Sequence, residues 1–174
     1  SNKFSLDHSV SITTINNQPG WADNIGTLKD TIIFSRRNVR TVENVLSLKY
    51  NFNNVMGLSI RGRHYWTKVD PKQFYELDKY GDLQTPAITY TGNAKQNYNF
   101  LSVDIVYNWQ FAQGSFFSVV WKDIADNFNR SFEKNYFKNL GKTIEGNQFN
   151  SLSVRMIYFL DYITAKKKWK KKIV

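Results

Sequence analysis

Six stretches of this chain alternate apolar and polar residues with a period of two, and no stretch of comparable length repeats with a helical period. In residues 151–162 one set is Leu152, Val154, Met156, Tyr158, Leu160 and Tyr162, and the other is Ser151, Ser153, Arg155, Ile157, Phe159 and Asp161. Successive side chains of a strand point to opposite faces, so the pattern predicts a strand with one apolar and one mainly polar side. Residues 4–13 repeat it with Phe4, Leu6, His8, Val10 and Ile12, and residues 42–52 with Val42, Leu46, Leu48, Tyr50 and Phe52 against Glu43, Ser47 and Lys49. In residues 56–66, Met56, Leu58, Ile60, His64 and Trp66 oppose Ser59, Arg61, Arg63 and Tyr65. Leu101, Val103, Ile105, Tyr107, Trp109 and Phe111 oppose Ser102, Asp104, Asn108 and Gln110, and Phe117, Val119 and Trp121 oppose Ser118 and Lys122.

A soluble barrel turns its apolar face inward and a membrane barrel turns it outward, with the same period in both. Three features favour the outward reading. The connections alternate between tight turns, "NFNNVM" and "QFAQGS", and long polar segments near 14–29, 69–96 and 125–147, as in outer-membrane barrels with short periplasmic turns. Tyr50, Phe52, Trp109, Phe111, Phe117 and Tyr162 gather toward the short-turn side and Trp66 and Trp121 toward the other, which predicts two interfacial girdles. Each alternating stretch is also long enough to cross a bilayer when tilted. The expected fold is therefore all-β: an antiparallel meander of about six strands over residues 1–163, forming the C-terminal part of a transmembrane outer-membrane β-barrel. Six strands are fewer than the roughly eight of the smallest such barrels, so the remaining strands are expected to precede Ser1 in a longer protein.

The net charge of +10 is unevenly placed, because six of the positive charges are the Lys of "KKKWKKK" at 166–172. Residues 164–174 read as a basic, solvated tail, with contact to anionic headgroups through the lysines and Trp169 as its functional alternative. No Cys is present and two isolated His do not make an ordinary zinc site, so neither a thiolate nucleophile nor a structural zinc is expected. The start "SNKFSL" has no leader pattern, and no apolar run approaches the roughly 18 residues of a membrane helix. The chain is then either cytoplasmic or the far end of a longer exported protein.

The stretches "TIIFSRRNVRTVENVLSLKYNFNNVMGLSIRGRHYW", "YNFLSVDIVYNWQFAQGSFFSVVWKD" and "NSLSVRMIYFLDY" resemble the carboxy-terminal barrel of a Bacteroidota envelope family classed as a domain of unknown function. The similarity spans roughly residues 28–162 and rests on the FSRRNVRT entry into a long strand, the NF turn, and the W-x-F-A-x-G-S turn before a V-V-W strand. Longer members carry a domain like carbohydrate-binding-module family 9 nearer the amino terminus. The resemblance implies an envelope barrel and carries no assigned activity.

Catalytic signatures are absent: no G-x-S-x-G, H-E-x-x-H, P-loop or dinucleotide fingerprint occurs. Asp70, Glu76, Asp78 and Asp82 do not have the spacing of a calcium loop and read as a solvated segment. The aromatic-rich stretch 127–142 reads as loop packing, with stacking on sugar rings as its functional alternative. In the barrel reading, Lys49, Arg61, Arg63, Asp104, Lys122 and Arg155 line the lumen. Leu101, Val103, Ile105, Tyr107, Trp109, Leu152, Val154, Met156, Tyr158, Leu160 and Tyr162 face lipid. The expected function is non-enzymatic and without cofactor: solute or glycan binding or transport, or anchoring of surface lipoproteins and other envelope proteins in the bacterial outer membrane. The competing class is a soluble basic β-barrel or sandwich that binds nucleic acid or another polyanion. It needs aromatics and cations on one face, whereas Arg61 and Arg63 oppose His64 and Trp66, so no nucleic-acid partner is expected.

Overall fold

The computed structural model describes residues 3–86 and 89–161. Tyr162 and the lysine tail, expected to end the last strand and to meet headgroups respectively, lie outside the described residues. The six alternating stretches are six long strands: β1 (Phe4–Ile25), β2 (Thr31–Asn53), β3 (Met56–Leu77), β5 (Gln96–Ala112), β6 (Ser115–Asn129) and β7 (Gln148–Ile157). A two-residue strand, β4 (Leu83–Gln84), pairs only with β3. The order β1-β2-β3-β5-β6-β7 is an antiparallel meander, and among the described residues the sheet does not close.

The tight turns follow from local chemistry. Between β2 and β3 the Asn53 side chain accepts from the Val55 amide at 2.9 Å, an Asx turn. Between β5 and β6, Gly114 takes φ +73°, a conformation in which a Cβ would be strained. The long connections are shorter than the composition suggests, because the strands run on past the clean alternation. β1 continues through bulges at Ile15/Gln18 and Trp21/Asp23, with Asn17 at φ 57°, and β3 continues past a bulge at Pro71. Pro19 and Pro71 are tolerated because one sits on an edge strand and the other at a bulge. At about 3.4 Å per residue, the 22 residues of β1 span roughly 70 Å, well beyond the 9–11 residues that cross a bilayer.

One element was not expected. Helix α1 (Tyr136–Ile144) lies in the β6–β7 connection, capped by Asn135, whose side chain accepts from the Lys138 amide at 3.0 Å. Nine residues are too few for a stable isolated helix, so α1 depends on its contacts with the sheet.

Buried hydrophobic residues are few among the described residues: Ala22, Ile33, Trp66, Val69, Ala94 and Ala125. Ala22, Ile33 and Ala94 form a small cluster with Ile25, Phe74 and Tyr90 at the long-loop end. Among the described residues no second layer covers the short-turn half of the apolar face, where Leu6 is 56% and Leu152 67% exposed.

Candidate functional site

The polar face carries Lys49 on β2, Arg61 and Arg63 on β3, Asp104 on β5, Lys122 on β6 and Arg155 on β7, as their common parity in the register requires. Asp104 lies directly opposite Arg61 on one side and Lys122 on the other, with Lys122 Nζ 3.8 Å from its carboxylate. Glu43 lies 3.6 Å from Arg63, while Lys49 stands opposite Ser59 and Arg155 opposite Ser118. The Thr41 and Thr67 hydroxyls are hydrogen-bonded at 2.9 Å across β2 and β3. These are partly exposed pairs that contribute about 0–1 kcal/mol each, so they set the charge pattern of the face more than its stability.

Both ends of the polar face are shaped. At the short-turn end a hollow of about 580 Å³ is lined chiefly by Lys3, Asn51, Asn53, Asn54, Ser59, Asn108 and Gln110. At the long-loop end the segment after β4 folds over the face. Tyr90 donates to Asp23 at 2.9 Å and packs its ring at a tilt against Phe74, with centroids 4.6 Å apart, and burial together with the Asp23 carboxylate pushes the phenol up to about 12. Asn93 and Arg130 exchange side chain-to-carbonyl hydrogen bonds of 3.0 and 2.9 Å, tying this segment to the end of β6. The acidic stretch is structural here: Asp78 Oδ1 accepts from the amides of Tyr80 and Asp82, both at 2.9 Å. The backbone bond from Asp82 holds that carboxyl below its usual range.

The apolar face carries an uncovered band. Leu6, Leu48, Ile60, Ile105, Trp121 and Leu152 form one register row that is apolar from β1 to β7. Toward the short turns follow Phe4, Tyr50, Leu58, Tyr107, Val119 and Val154, and then Met56, Trp109, Phe117 and Met156. Tyr158 and Leu160, expected to continue the lipid-facing set, lie just past the last paired residue of β7 and are 62% and 70% exposed. Tyr50 and Phe52 meet edge to face at 5.0 Å, Trp109 and Phe111 at 5.7 Å, and Phe111 stacks on Tyr158 at 6.3 Å, so aromatics gather at the short-turn margin.

The opposite margin is oblique. The row through Ile12 and Val42 reaches Trp66 on β3 and then turns to Asn99 and Asn127. On β1 the apolar residues climb to Ile12, six residues beyond Leu6; on β7 they stop at Leu152, in the row of Leu6 itself. A drop of six residues over five strand pairings, at about 3.4 Å per residue and 4.8 Å per strand, inclines the band by about 40° to the register rows.

Above that margin a polar cluster anchors α1. Tyr136 accepts from Asn44 at 2.8 Å and places its hydroxyl 2.8 Å from His64 Nδ1, so its proton is available to that nitrogen. Trp66 is buried beneath, its indole donating to Asn97 at 2.6 Å and its ring lying 4.1 Å from the Lys68 ammonium. It is thus part of the helix seat and not of an exposed upper girdle, which corrects the expectation from sequence. Asn139 donates to Asn99 and accepts from Asn99 at 3.2 Å and from Asn97 at 3.4 Å. Asn97, Asn99 and Asn139 are all buried. Replacing Asn139 by Ala removes an acceptor from two buried amides and should weaken the docking of α1 by about 1–3 kcal/mol. Amide exchange over residues 138–146 should accelerate by roughly tenfold or more, with the sheet amides unchanged.

The sequence pattern placed His64 on the apolar side but not its partner, which arrives from 72 positions away. The signal available for α1 was local: Asn135 three residues before Lys138, Tyr136, Leu140 and Thr143 at helical spacing, and Gly146 just past the end. Among the described residues no group of three or more His, Asp or Glu is placed to hold a metal ion, and no helix is long and apolar enough to cross a membrane. No curated protein and no solved structure matches the chain. The family described as a domain of unknown function (DUF5916) matches residues 1–169, and the chain belongs to that family.

Proposed function

We propose that this chain is a transmembrane wall of an outer-membrane β-barrel in a bacterial envelope, non-enzymatic, with its apolar band in lipid and its polar face toward the lumen. The observation that carries the reading is the slope of the band. A planar bilayer cuts a barrel at constant height, and barrel strands tilt by about 35–45°, so the lipid-facing residues must cross the register rows at that angle. An apolar layer shaped to pack a second sheet has no such requirement, and no second sheet is present among the described residues. The uncovered area supports the same conclusion, because soluble monomers rarely expose an apolar patch beyond a few hundred Å². Cations and aromatics lie largely on opposite faces in the short-turn half, which weighs against the soluble polyanion-binding alternative.

The lumen then carries the Arg61–Asp104–Lys122 row and the Glu43–Arg63 pair, with an amide-lined hollow at the periplasmic mouth and the Tyr90 segment folded over the external one. Such a surface suits passage or capture of a polar solute, a glycan included, and the strands that rise beyond the band offer a wall on which surface lipoproteins or other envelope proteins can be anchored. The rest of the barrel comes from other strands of the same protein, in keeping with the Bacteroidota envelope resemblance, whose longer members add a carbohydrate-binding-like domain.

The sequence contains no Cys, which permits a direct test. Single cysteines at Ile60, Ile105 and Val154, labelled with a fluorophore in vesicles of the barrel-forming protein, should be quenched by acyl-chain spin labels and not by aqueous iodide. Labels at Arg61, Asp104 and Arg155 should show the reverse. Equal iodide quenching on both faces would refute the transmembrane reading.

A further inference from the structure

Helix α1 has a flank that the sheet does not use. Tyr136, Asn139 and Thr143 face the strands, while Phe137 is 78% and Ile144 47% exposed. The direction of that flank follows from its opposite. Lys142 Nζ lies 3.0 Å from Glu133, and both border a small hollow with Asn97, Asn127 and Asn129, on the side of α1 away from the apolar band. At about 100° per residue, Phe137 and Ile144 stand roughly 140–160° around the helix from Lys142. They therefore face the band, and Leu140 fills the angle between them and the sheet.

The other flank is cationic. The ammonium groups of Lys138 and Lys142 lie 3.7 and 3.0 Å from the Glu133 carboxylate, which also accepts from the Lys134 backbone amide at 3.1 Å, and the hydrogen bond from Lys142 holds that carboxyl below its usual range. Lys134, Lys138 and Lys142 against Glu133 and the helix-end Glu145 leave a net charge of +1 on this edge. The helix thus lies across the strands at the upper margin of the apolar band, with its aromatic and aliphatic side toward the band and its basic side away from it.

We propose that α1 is an interfacial helix that docks the outer wall of the sheet onto the surface of an anionic lipid leaflet. Phe137 and Ile144 enter the boundary between acyl chains and headgroups, and Lys134 and Lys138 meet headgroup phosphates. Continuity with the band, the exposed ring and the charge of the far flank all select a lipid surface as the occupant, since an amphipathic helix at the interface buries one apolar side and presents lysines to anionic lipid. The inference rests on the transmembrane reading, and its test separates the two.

The barrel-forming protein would be placed in vesicles of phosphatidylcholine with phosphatidylglycerol, carrying single fluorophore-labelled cysteines from Phe137→Cys, Ile144→Cys, Glu145→Cys and Ile105→Cys. Spin labels near the headgroup should quench the labels at Phe137 and Ile144 several-fold more than the one at Glu145, which points away from the sheet. Amide exchange over residues 136–144 in the unlabelled protein should slow when phosphatidylglycerol is present and recover in high salt. Lipid quenching at Ile105 without excess quenching at Phe137 and Ile144 would overturn the interfacial helix and leave the barrel standing. No lipid quenching at Ile105 would overturn both.

Discussion

Ile105→Arg should abolish assembly of the barrel, with a cost of about 2–4 kcal/mol if the position lies near the bilayer midplane. Ile105 is the natural choice, because its row is apolar on all six long strands and has apolar rows or aromatics on the short-turn side and the polar α1 seat on the other. In the transmembrane reading a guanidinium there meets no water; Asp104, its neighbour in sequence, points to the opposite side of the sheet, and the carboxylate on its own face, Asp123, stands one register row toward the α1 seat, opposite Val103. The matched control is Val106→Arg, one residue along, where the side chain joins the polar face between Ser59 and Val120. Gel mobility of the unheated protein, which separates folded barrels from unfolded chains, reads both. Loss of the folded band for Ile105→Arg with its retention for Val106→Arg is the expected result. Normal insertion of Ile105→Arg would reverse the assignment of the faces.

That experiment exploits the part of the structure that the sequence states most directly. Period-two alternation gave all six long strands and the membership of each face, because a single slip of register would exchange the faces entirely and the pattern leaves no such freedom. Strand ends were less legible. Residues 14–25 of β1 and 69–77 of β3 belong to strands that bulges interrupt, and each bulge shifts the period so that the stretch reads as loop. The slope of the band was invisible in any one strand, since it exists only once Ile12 on β1 and Leu152 on β7 are placed on a common register. The helix seat was hidden for a different reason. Asn97, Asn99 and Asn139 look like solvated loop residues, and Trp66 like a girdle aromatic, until the reciprocal amide bonds with α1 remove them all from water. Long-range hydrogen bonding between amides leaves no periodic trace in a sequence.

The two edges of the sheet carry the remaining large effect. β1 pairs only with β2 and β7 only with β6, so each has one side on which no strand is bonded among the described residues. On the apolar half these sides run beside Leu6, Val10 and Ile12 at one edge and Leu152, Val154 and Met156 at the other, which in the transmembrane reading places them at hydrocarbon depth. Every unpaired backbone N–H or C=O there costs several kcal/mol, and spanning sheets avoid that cost only by closing. Direct closure of β1 onto β7 would make a barrel of six, below the roughly eight strands of the smallest known single-chain examples. The 174 residues alone should therefore fail to give a closed, heat-resistant species in detergent, whereas the same residues joined to further strands of the parent protein should give one. Gel mobility before and after heating, read alongside β-rich circular dichroism, distinguishes the outcomes. A compact monomer from residues 1–174 that resists unfolding until heated would show that β1 and β7 satisfy each other, and the requirement for additional strands would fall.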